Sequence, residues 1–274
     1  MRSCGRTFAG GRRAVMDRDS PVKTVALALS VCLVCSLVVS VTAVALRPLH
    51  VANRERERRQ HVAAILAAVP GIEAVIGAVD VDELEIRLVD LESGAYVDGV
   101  DPAGYDARQA ATDPAHSIEL APERDAAGVG RREKLAPVYV VGDDDEIALV
   151  ILPVYGSGYL STLRGYVALG ADTNTILGLT FYEHDETPGL GAEIQEAGWL
   201  AQWKGKRVRD DSGRIRVRVA AGTVDANDPG RPYEVDGISG ATMTGDGVTA
   251  LLRFWLGDDG FGPYLDRLRA ARKQ

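Results

Sequence analysis

The chain has 274 residues, of which 46% are hydrophobic and 26% are charged. This composition is typical of a globular domain with extensions and argues against a disordered or polytopic membrane protein. The net charge of −8 gives no reason to expect a nucleic-acid partner, because binding to a phosphate backbone needs a basic face.

The first feature along the chain is an uncharged apolar segment, residues 24–46, which follows a tail of residues 1–23. As a helix it spans roughly 35 Å at about 1.5 Å per residue, which is enough to cross a bilayer. A cleaved signal peptide has a shorter apolar region of about 7–15 residues, and Val44-Ala45-Leu46 is a poor cleavage site. The segment therefore predicts one retained transmembrane helix.

The residues around and within this segment give little further information. Six basic residues precede it and five follow it closely, so the positive-inside rule nearly ties, and translation from Met16 would change the balance. Cys32 and Cys35 form a C-x-x-C spacing but lie in mid-membrane without a flanking turn. We interpret them as apolar helix residues rather than a redox pair or metal ligands.

Residues 47–135 predict a juxtamembrane helix followed by an irregular region. The helix covers residues 47–69 and ends at Pro70-Gly71. After an alternating stretch at residues 81–91, the region 93–132 is rich in Gly, Pro, Asp and Ala. It predicts loops with short elements.

Residues 136–274 have the strand pattern of a compact domain. VYVV at 138–141 and IALVILPV at 147–154 predict two strands joined by an acidic turn. Residues 165–169 and 175–182 predict two more, around a segment with hairpin-turn chemistry.

The last hundred residues add one strand and several helices to this prediction. RIRVRV at 214–219 alternates strictly, so its Ile and Val side chains should face the core. Trp199 and Trp203 share one face of a short helix and are predicted to be packing residues. Helices are predicted from about 245 to 256 and from 264 to 271. The fold class is α+β, a mainly antiparallel sheet with peripheral helices.

A run of small and hydroxyl residues, DGISGATMT at 236–244, lies between a strand and a helix. Gly240 and Ala241 allow close approach of the backbone, and the following helix offers unpaired N–H groups to a phosphate. Hydroxyl donors are available at Ser239, Thr242 and Thr244. The alternative is a tight turn in which Thr244 only caps the helix.

DGISGAT resembles the flavinylation motif of the FMN-binding domain family, in which an acidic residue precedes Ser/Thr-Gly-Ala-Thr. The resemblance implies that FMN is joined through its phosphate to the Thr242 hydroxyl as a phosphoester. It also implies that Ser239, Gly240 and Ala241 shape the turn, with Asp236 at the acidic position.

A longer resemblance is carried by GYLSTLRGYVAL, NTILGLTFYEHDETPGLGAEI and W-x-x-x-W-x-G-K. These segments resemble the family of C-type subunits of Na⁺-translocating NADH:quinone reductases, with small departures at Asp185 and Ala192. The loop in the middle of this region should contact the flavin through Glu186, Thr187, Pro188, Gly189, Leu190 and Gly191. The alternative is an ordinary turn with Leu190 in the core.

The resemblance implies an electron carrier with covalent FMN in a membrane complex that oxidises NADH, reduces ubiquinone and exports Na⁺. It further implies partner subunits, a flavin transferase for maturation, and a domain on the periplasmic face of the inner membrane. The alternatives are the equivalent G-type subunit of an Rnf-type complex and an anchored binding module without flavin.

No acid–base residue and no metal site is predicted. His184 and Glu186 lie beside the loop, but a flavin that passes single electrons needs no acid or base. His50, His61 and His116 are scattered without zinc-ligand spacing. Gly156-Ser157-Gly158 lacks a complete nucleotide-loop pattern and is interpreted as a close-packed turn near the flavin.

Overall fold

The computed structural model describes residues 25–40, 85–102, 104–143 and 146–272. The chain divides into two units, Met1–Glu55 and Arg56–Gln274. In the first unit the described residues form one helix, α1, over residues 25–40. The rest of the predicted transmembrane segment, the tail before it and the predicted juxtamembrane helix lie outside the described residues. Among the helices that the structure describes, none is long and apolar enough to cross a membrane.

The second unit is built on a five-stranded antiparallel sheet. Its strands are β1 (Glu85–Asp90), β4 (Leu135–Asp143), β5 (Glu146–Ser157), β6 (Thr162–Gly170) and β7 (Ile176–Glu183), in the spatial order β1-β4-β5-β6-β7. The four strands predicted after residue 136 are confirmed, each antiparallel to its neighbour. The sheet also includes β1, which lies on the N-terminal side of the predicted domain boundary at residue 136.

Short elements fill the connection between β1 and β4, as the composition of residues 93–132 predicted. They are α2 (Ala107–Thr112), β2 (Ser117–Glu119) and β3 (Arg131–Glu133), and the two strands pair with each other.

The predicted strand at residues 214–219 is wrong in its length. Only β8 (Arg218–Val219) is a strand, and it pairs in parallel with β9 (Glu234–Val235). The predicted facing is confirmed, because Val217 and Val219 are buried while Arg218 is exposed. The alternation matches the burial of the side chains, but the backbone before Arg218 forms no regular ladder. Ile215 forms an isolated bridge with Arg209, and the Arg216 and Val217 N–H groups both donate to the Val208 carbonyl oxygen.

Three helices cover the sheet, namely α3 (Ala197–Leu200), α4 (Thr242–Trp255) and α5 (Gly262–Ala271). Trp199 in α3 and Trp203 in the following 3-10 turn are both buried, with ring centroids 5.5 Å apart, which confirms their packing role. The α+β class with a mainly antiparallel sheet is confirmed.

Helix α4 lies directly against β5, and two glycines permit this close approach. A Cβ added at Gly156 would lie 2.9 Å from Leu251 Cβ, and one at Gly247 would lie 2.5 Å from the Ser157 carbonyl oxygen. The apolar side of α4 joins the main core through Val248, Leu251, Leu252 and Trp255. The N-terminal end of α4 is thereby held beside the turn that follows β5.

Candidate functional site

The DGISGATMT motif forms the turn that leads from β9 into α4. Gly240 has a φ of 73°, in the left-handed region that favours glycine. The Ala241 N–H donates to the Ile238 carbonyl oxygen, and the Gly245 N–H donates to the Ala241 carbonyl oxygen, each at 3.1 Å. The helix therefore begins at Thr242, three residues before the predicted start. Thr244 does not cap it, because the cap position is Ala241.

Thr242, the predicted attachment residue, is exposed at the first position of α4. Ala241 supplies no side-chain hydrogen bond to the helix N-terminus. The amide groups of the first turn of an α-helix have no partner within the helix, and together they carry a partial positive charge. An exposed hydroxyl next to such amides is well placed to carry a phosphate group.

The TPGLG loop, residues 187–191, lies against this turn. The Leu190 and Ala192 N–H groups both donate to the Thr187 carbonyl oxygen at 3.1 Å, and Gly189 has a φ of 72°. Leu190 is 41% exposed, which disfavours the alternative that it is a core residue. Its Cδ2 atom lies 2.9 Å from the position of a Cβ added at Gly240. The structure therefore brings together the two predicted parts of the site.

Glu186 and Thr244 are the buried polar members of the predicted set, 4% and 1% exposed respectively. The Thr244 hydroxyl donates a hydrogen bond of 2.6 Å to Glu186 Oε2. The other carboxylate oxygen, Oε1, accepts from the Leu160 N–H at 2.9 Å and from the Ser161 N–H at 3.4 Å. Both oxygens of Glu186 are thus bonded to protein groups.

Exposed apolar side chains surround the motif on several segments. Met243, directly after the predicted attachment residue, is 63% exposed. In the turn between β5 and β6, Tyr159 and Leu160 are also exposed. Leu190 of the TPGLG loop is a further exposed apolar side chain. Exposed apolar groups next to a polar helix terminus suit a ligand with an anionic end and a planar aromatic end.

Asp236, the acidic position of the motif, is bonded to the neighbouring backbone. Its Oδ1 accepts from the Val224 N–H at 2.7 Å, and its carbonyl oxygen accepts from Trp199 Nε1 at 2.9 Å. Its N–H donates to Gln202 Oε1 at 2.9 Å. The carboxylate therefore stabilises the chain before the motif, and a direct contact with the cofactor stays a prediction.

The turn between β5 and β6 is the part of the site whose contacts the sequence did not reveal. The sequence predicts that Gly156-Ser157-Gly158 is a close-packed turn near the flavin. The close packing is confirmed, but Gly156 and Ser157 still belong to β5 and only Gly158 lies in the turn. The position near the flavin stays a prediction. A Cβ added at Gly158 would lie 2.5 Å from Glu186 Oε1. The available signal was the pair of glycines at the end of a long apolar strand, but it did not identify the residue they approach.

His184 takes part in the local structure of the loop. Its Nδ1 accepts a hydrogen bond of 3.1 Å from the Glu186 N–H. Within the described residues, no group of three or more His, Cys, Asp or Glu side chains could hold a metal ion.

A second buried carboxyl, Glu133, lies outside the motif. The Tyr155 hydroxyl donates to Glu133 Oε2 at 2.6 Å, and the Arg164 guanidinium lies 4.9 Å from the centroid of the Tyr155 ring. Burial raises the pKa of Glu133 to about 7, although the Tyr155 hydrogen bond, Arg132 and Arg164 act in the opposite direction. Burial and the neighbouring Glu133 carboxyl raise the pKa of the Tyr155 hydroxyl.

Comparison with known families covers the region that contains these residues. The FMN-binding domain family matches residues 158–257, which include the β5–β6 turn, the TPGLG loop and the DGISGATMT motif. The C-type subunit of the Na⁺-translocating NADH-quinone reductase of Pseudomonas aeruginosa is 42% identical over 92% of this chain and 98% of its own length. The corresponding protein of Yersinia pestis is 41% identical over 92% of this chain and 95% of its own.

Solved structures show the same fold. The crystal structure of Shewanella oneidensis NqrC superposes with a TM-score of 0.67 at 33% identity, covering 80% of this chain and 99% of the other. The C-type subunit of the Na⁺-translocating NADH-quinone reductase from Parabacteroides distasonis superposes with a TM-score of 0.55 at 28% identity, covering 84% of this chain and 98% of the other.

Proposed function

The chain belongs to the NqrC family, the C-type subunits of Na⁺-translocating NADH-quinone reductases, and we propose that it carries its FMN covalently on Thr242. As a member of this family it is an FMN-dependent electron-carrier subunit of the oxidoreductase complex. The observation that carries the covalent assignment is the exposed hydroxyl of Thr242 at the uncapped N-terminus of α4, within a motif that matches flavinylation sites at every position.

Attachment is a phosphoryl transfer to the Thr242 hydroxyl. The Oγ atom attacks the flavin-side phosphorus of a flavin dinucleotide, so that an Oγ–P bond forms and the P–O bond of the anhydride breaks. The nucleoside monophosphate leaves with the electron pair, and the hydroxyl proton passes to the transferase. The chain gains the mass of FMN less one water, and no oxidant or reductant is consumed.

The first turn of α4 would hold the attached phosphate. Its charge lies next to the unpaired amide groups and the positive end of the helix dipole, an arrangement that stabilises anions. Gly240 and Ala241 keep side-chain bulk away from this position, and the exposed Ser239 hydroxyl is available as a further donor.

The isoalloxazine ring would lie against the exposed apolar side chains around the motif. Leu190 is the central member, since its side chain is exposed yet fixed against Gly240. In this proposal Thr187, Pro188 and Gly189 give the loop the shape that presents Leu190, and Gly191 allows the chain to return past Thr244. FMN supplies the redox chemistry, accepting electrons and passing them on. The protein holds it in place and limits its contact with water.

We further propose that the domain is anchored in the inner membrane by residues 24–46 and lies on the periplasmic side. The support for the anchor is the uncharged length of this segment and the helix that the structure describes over residues 25–40. The support for the periplasmic side is the family resemblance, because the basic residues on the two flanks nearly balance. The partners are the other subunits of the complex, with ubiquinone as its electron acceptor, and a flavin transferase during maturation. Protease added to intact spheroplasts should digest the domain, and full protection would reverse the orientation.

The covalent assignment is tested by intact-mass measurement after co-expression with a flavin transferase and denaturation. Wild type should gain the mass of FMN less one water and fluoresce in a denaturing gel. Thr242→Ala should lose both signals, whereas Thr242→Ser, which retains a hydroxyl, should keep them. Ser239→Ala should only weaken attachment, because it removes one donor of about 0.5–1.5 kcal/mol. Added flavin mass on Thr242→Ala would contradict the proposal.

A further inference from the structure

Glu186 was predicted as a flavin contact, but its geometry indicates a different role. The side chain is 4% exposed, and both carboxylate oxygens accept hydrogen bonds from the protein. A buried carboxylate with these bonds has little capacity left for a ligand outside. What it contacts is informative, because the partners of its carboxylate lie in the other two segments of the site.

The three segments are distant in sequence and meet at this one side chain. Glu186 itself directly precedes the TPGLG loop. Oε1 accepts from the Leu160 N–H in the turn between β5 and β6, which is 26 residues away. Oε2 accepts from the Thr244 hydroxyl in the first turn of α4, which is 58 residues away.

Neighbouring glycines show how closely this carboxylate is enclosed. A Cβ added at Gly158 would lie 2.5 Å from Glu186 Oε1, and one added at Gly191 would lie 2.7 Å from Oε2 and 2.6 Å from Thr244 Oγ1. Real Cβ atoms do not approach other heavy atoms so closely, so a side chain at either position would displace the carboxylate or the hydroxyl. Glycine at positions 158 and 191 therefore leaves the space that the carboxylate and the Thr244 hydroxyl occupy.

Thr244 is two residues beyond the attachment residue in the same helical turn. The side chain of Ala241 makes no hydrogen bond to this turn. The Thr244 side chain does bond the turn to another segment, through its hydroxyl and Glu186. Thr242 therefore remains exposed while the same helical turn is fixed by the buried hydrogen bond between Thr244 and Glu186.

We infer that Glu186 is a positioning residue, which presents the Thr242 hydroxyl to the flavin transferase by holding the first turn of α4 against the two neighbouring loops. This inference rests on the proposed attachment at Thr242. A hydroxyl that must enter in line with a phosphorus–oxygen bond reacts slowly when its backbone is free to move, even if the enzyme still binds the domain. The contribution of Glu186 should therefore appear in the rate of transfer and not in recognition.

The test is the rate of flavin attachment to the purified full chain, followed by intact mass at several transferase concentrations. Loss of the hydrogen bonds in Glu186→Ala should lower kcat about tenfold and leave KM for the chain unchanged. Glu186→Gln should restore most of the rate, because its amide oxygen can accept from Leu160 while its NH₂ donates to the Thr244 hydroxyl. Asp185→Ala is the matched control, since it removes an exposed carboxylate from the adjacent position and should react like wild type.

Changes at Thr244 examine the same contact from the other side. Thr244→Val should slow attachment, Thr244→Ser should not, and Glu186→Ala combined with Thr244→Val should be no slower than Glu186→Ala alone. These variants also decide the matter if Glu186→Ala does not fold.

Three results would overturn the inference. The first is a wild-type rate in folded Glu186→Ala. The second is equal loss in Glu186→Ala and Glu186→Gln, which would assign the effect to charge. The third is a change confined to KM. If wild type itself gains no flavin mass, the attachment at Thr242 fails, and the role of Glu186 fails with it. Normal attachment to wild type together with any of the three results removes only the positioning role.

Discussion

The two ends of α4 are built in opposite ways. At the C-terminal end Trp255 is fully buried, its Nε1–H donates to the Tyr155 carbonyl oxygen at 2.6 Å, and its ring lies 4.7 Å from the Tyr155 ring and 5.5 Å from the Phe261 ring. At the N-terminal end Thr242 and Met243 are exposed and the cap position provides no side-chain bond.

The two ends of α4 therefore have different roles, one in the stability of the fold and the other in the proposed binding of flavin. The C-terminal end contributes apolar burial to the core, and the N-terminal end keeps polar groups available for a ligand. Substitutions at the C-terminal, closed end should therefore change the free energy of unfolding. Substitutions of the exposed residues at the N-terminal, open end should instead change flavin attachment. Four measurements test this difference between the two ends.

Trp255→Ala should produce the largest effect, a loss of about 3–5 kcal/mol of unfolding free energy, because it leaves a cavity at the closed end. It also leaves the Tyr155 carbonyl oxygen without its donor. Guanidinium titration of the purified chain measures the change, with Trp255→Phe as a control that retains most of the volume. A loss below about 1 kcal/mol would mean that the closed end does not determine stability.

Glu133, which is bonded to Tyr155 beside Trp255, should make the free energy of unfolding depend on pH. Burial raises its pKa in the folded state from the ordinary 4.5 to about 7, so the folded chain binds the proton more tightly than the unfolded chain. The free energy of unfolding should therefore fall as pH rises from about 4.5 to 7, by at most about 3 kcal/mol, and stay low at higher pH. Denaturation at pH 5 and pH 8 measures this fall.

Glu133→Gln is the control for the pH effect, since the amide oxygen can still accept from the Tyr155 hydroxyl and no longer titrates. The difference between pH 5 and pH 8 should shrink in this variant. An unchanged difference would assign the pH dependence to other groups.

Gly191→Ala should have an intermediate effect on stability, because Gly191 packs against the buried contact between Glu186 and Thr244 beside the open end. The added Cβ would lie within 2.7 Å of both Glu186 Oε2 and Thr244 Oγ1, and such overpacking costs about 1–3 kcal/mol. Gly198→Ala is the matched control, because no atom lies within 4 Å of a Cβ there and alanine favours the helix α3. Thermal denaturation of the two variants should therefore differ in sign, and equal transition temperatures would contradict the close packing around Glu186.

Thr242→Ala should have the smallest effect on stability, less than about 1 kcal/mol, because the side chain is exposed. The same variant should lose all covalent flavin. The free energy of unfolding and the covalent flavin content should be measured on the same sample of this variant. A large loss of stability in Thr242→Ala would show that the open end also supports the fold.

The amino-acid sequence by itself determined the elements that depend on local periodicity and turn chemistry. The alternation at residues 138–154 and 165–182 predicted four sheet strands, because side chains alternate between the two faces of a strand regardless of what lies beyond them. The turn before α4 was readable for the same reason, since Gly240 and the small residues beside it specify a backbone turn within a few residues. The attachment of flavin at Thr242 rests on the family resemblance and stays a prediction.

Tertiary structure decided how those elements meet. The alternation of RIRVRV could not reveal that only Arg218 and Val219 find a partner strand, because strand pairing depends on residues that come later in the chain. The position of Glu186 in the sequence, next to the TPGLG loop, likewise predicted that it contacts the flavin. Its actual partners, Leu160 and Thr244, lie 26 and 58 residues away and are brought to it only by the packing of α4 on β5. Local sterics are encoded within a few residues, whereas the partner of a buried carboxylate is chosen by the fold.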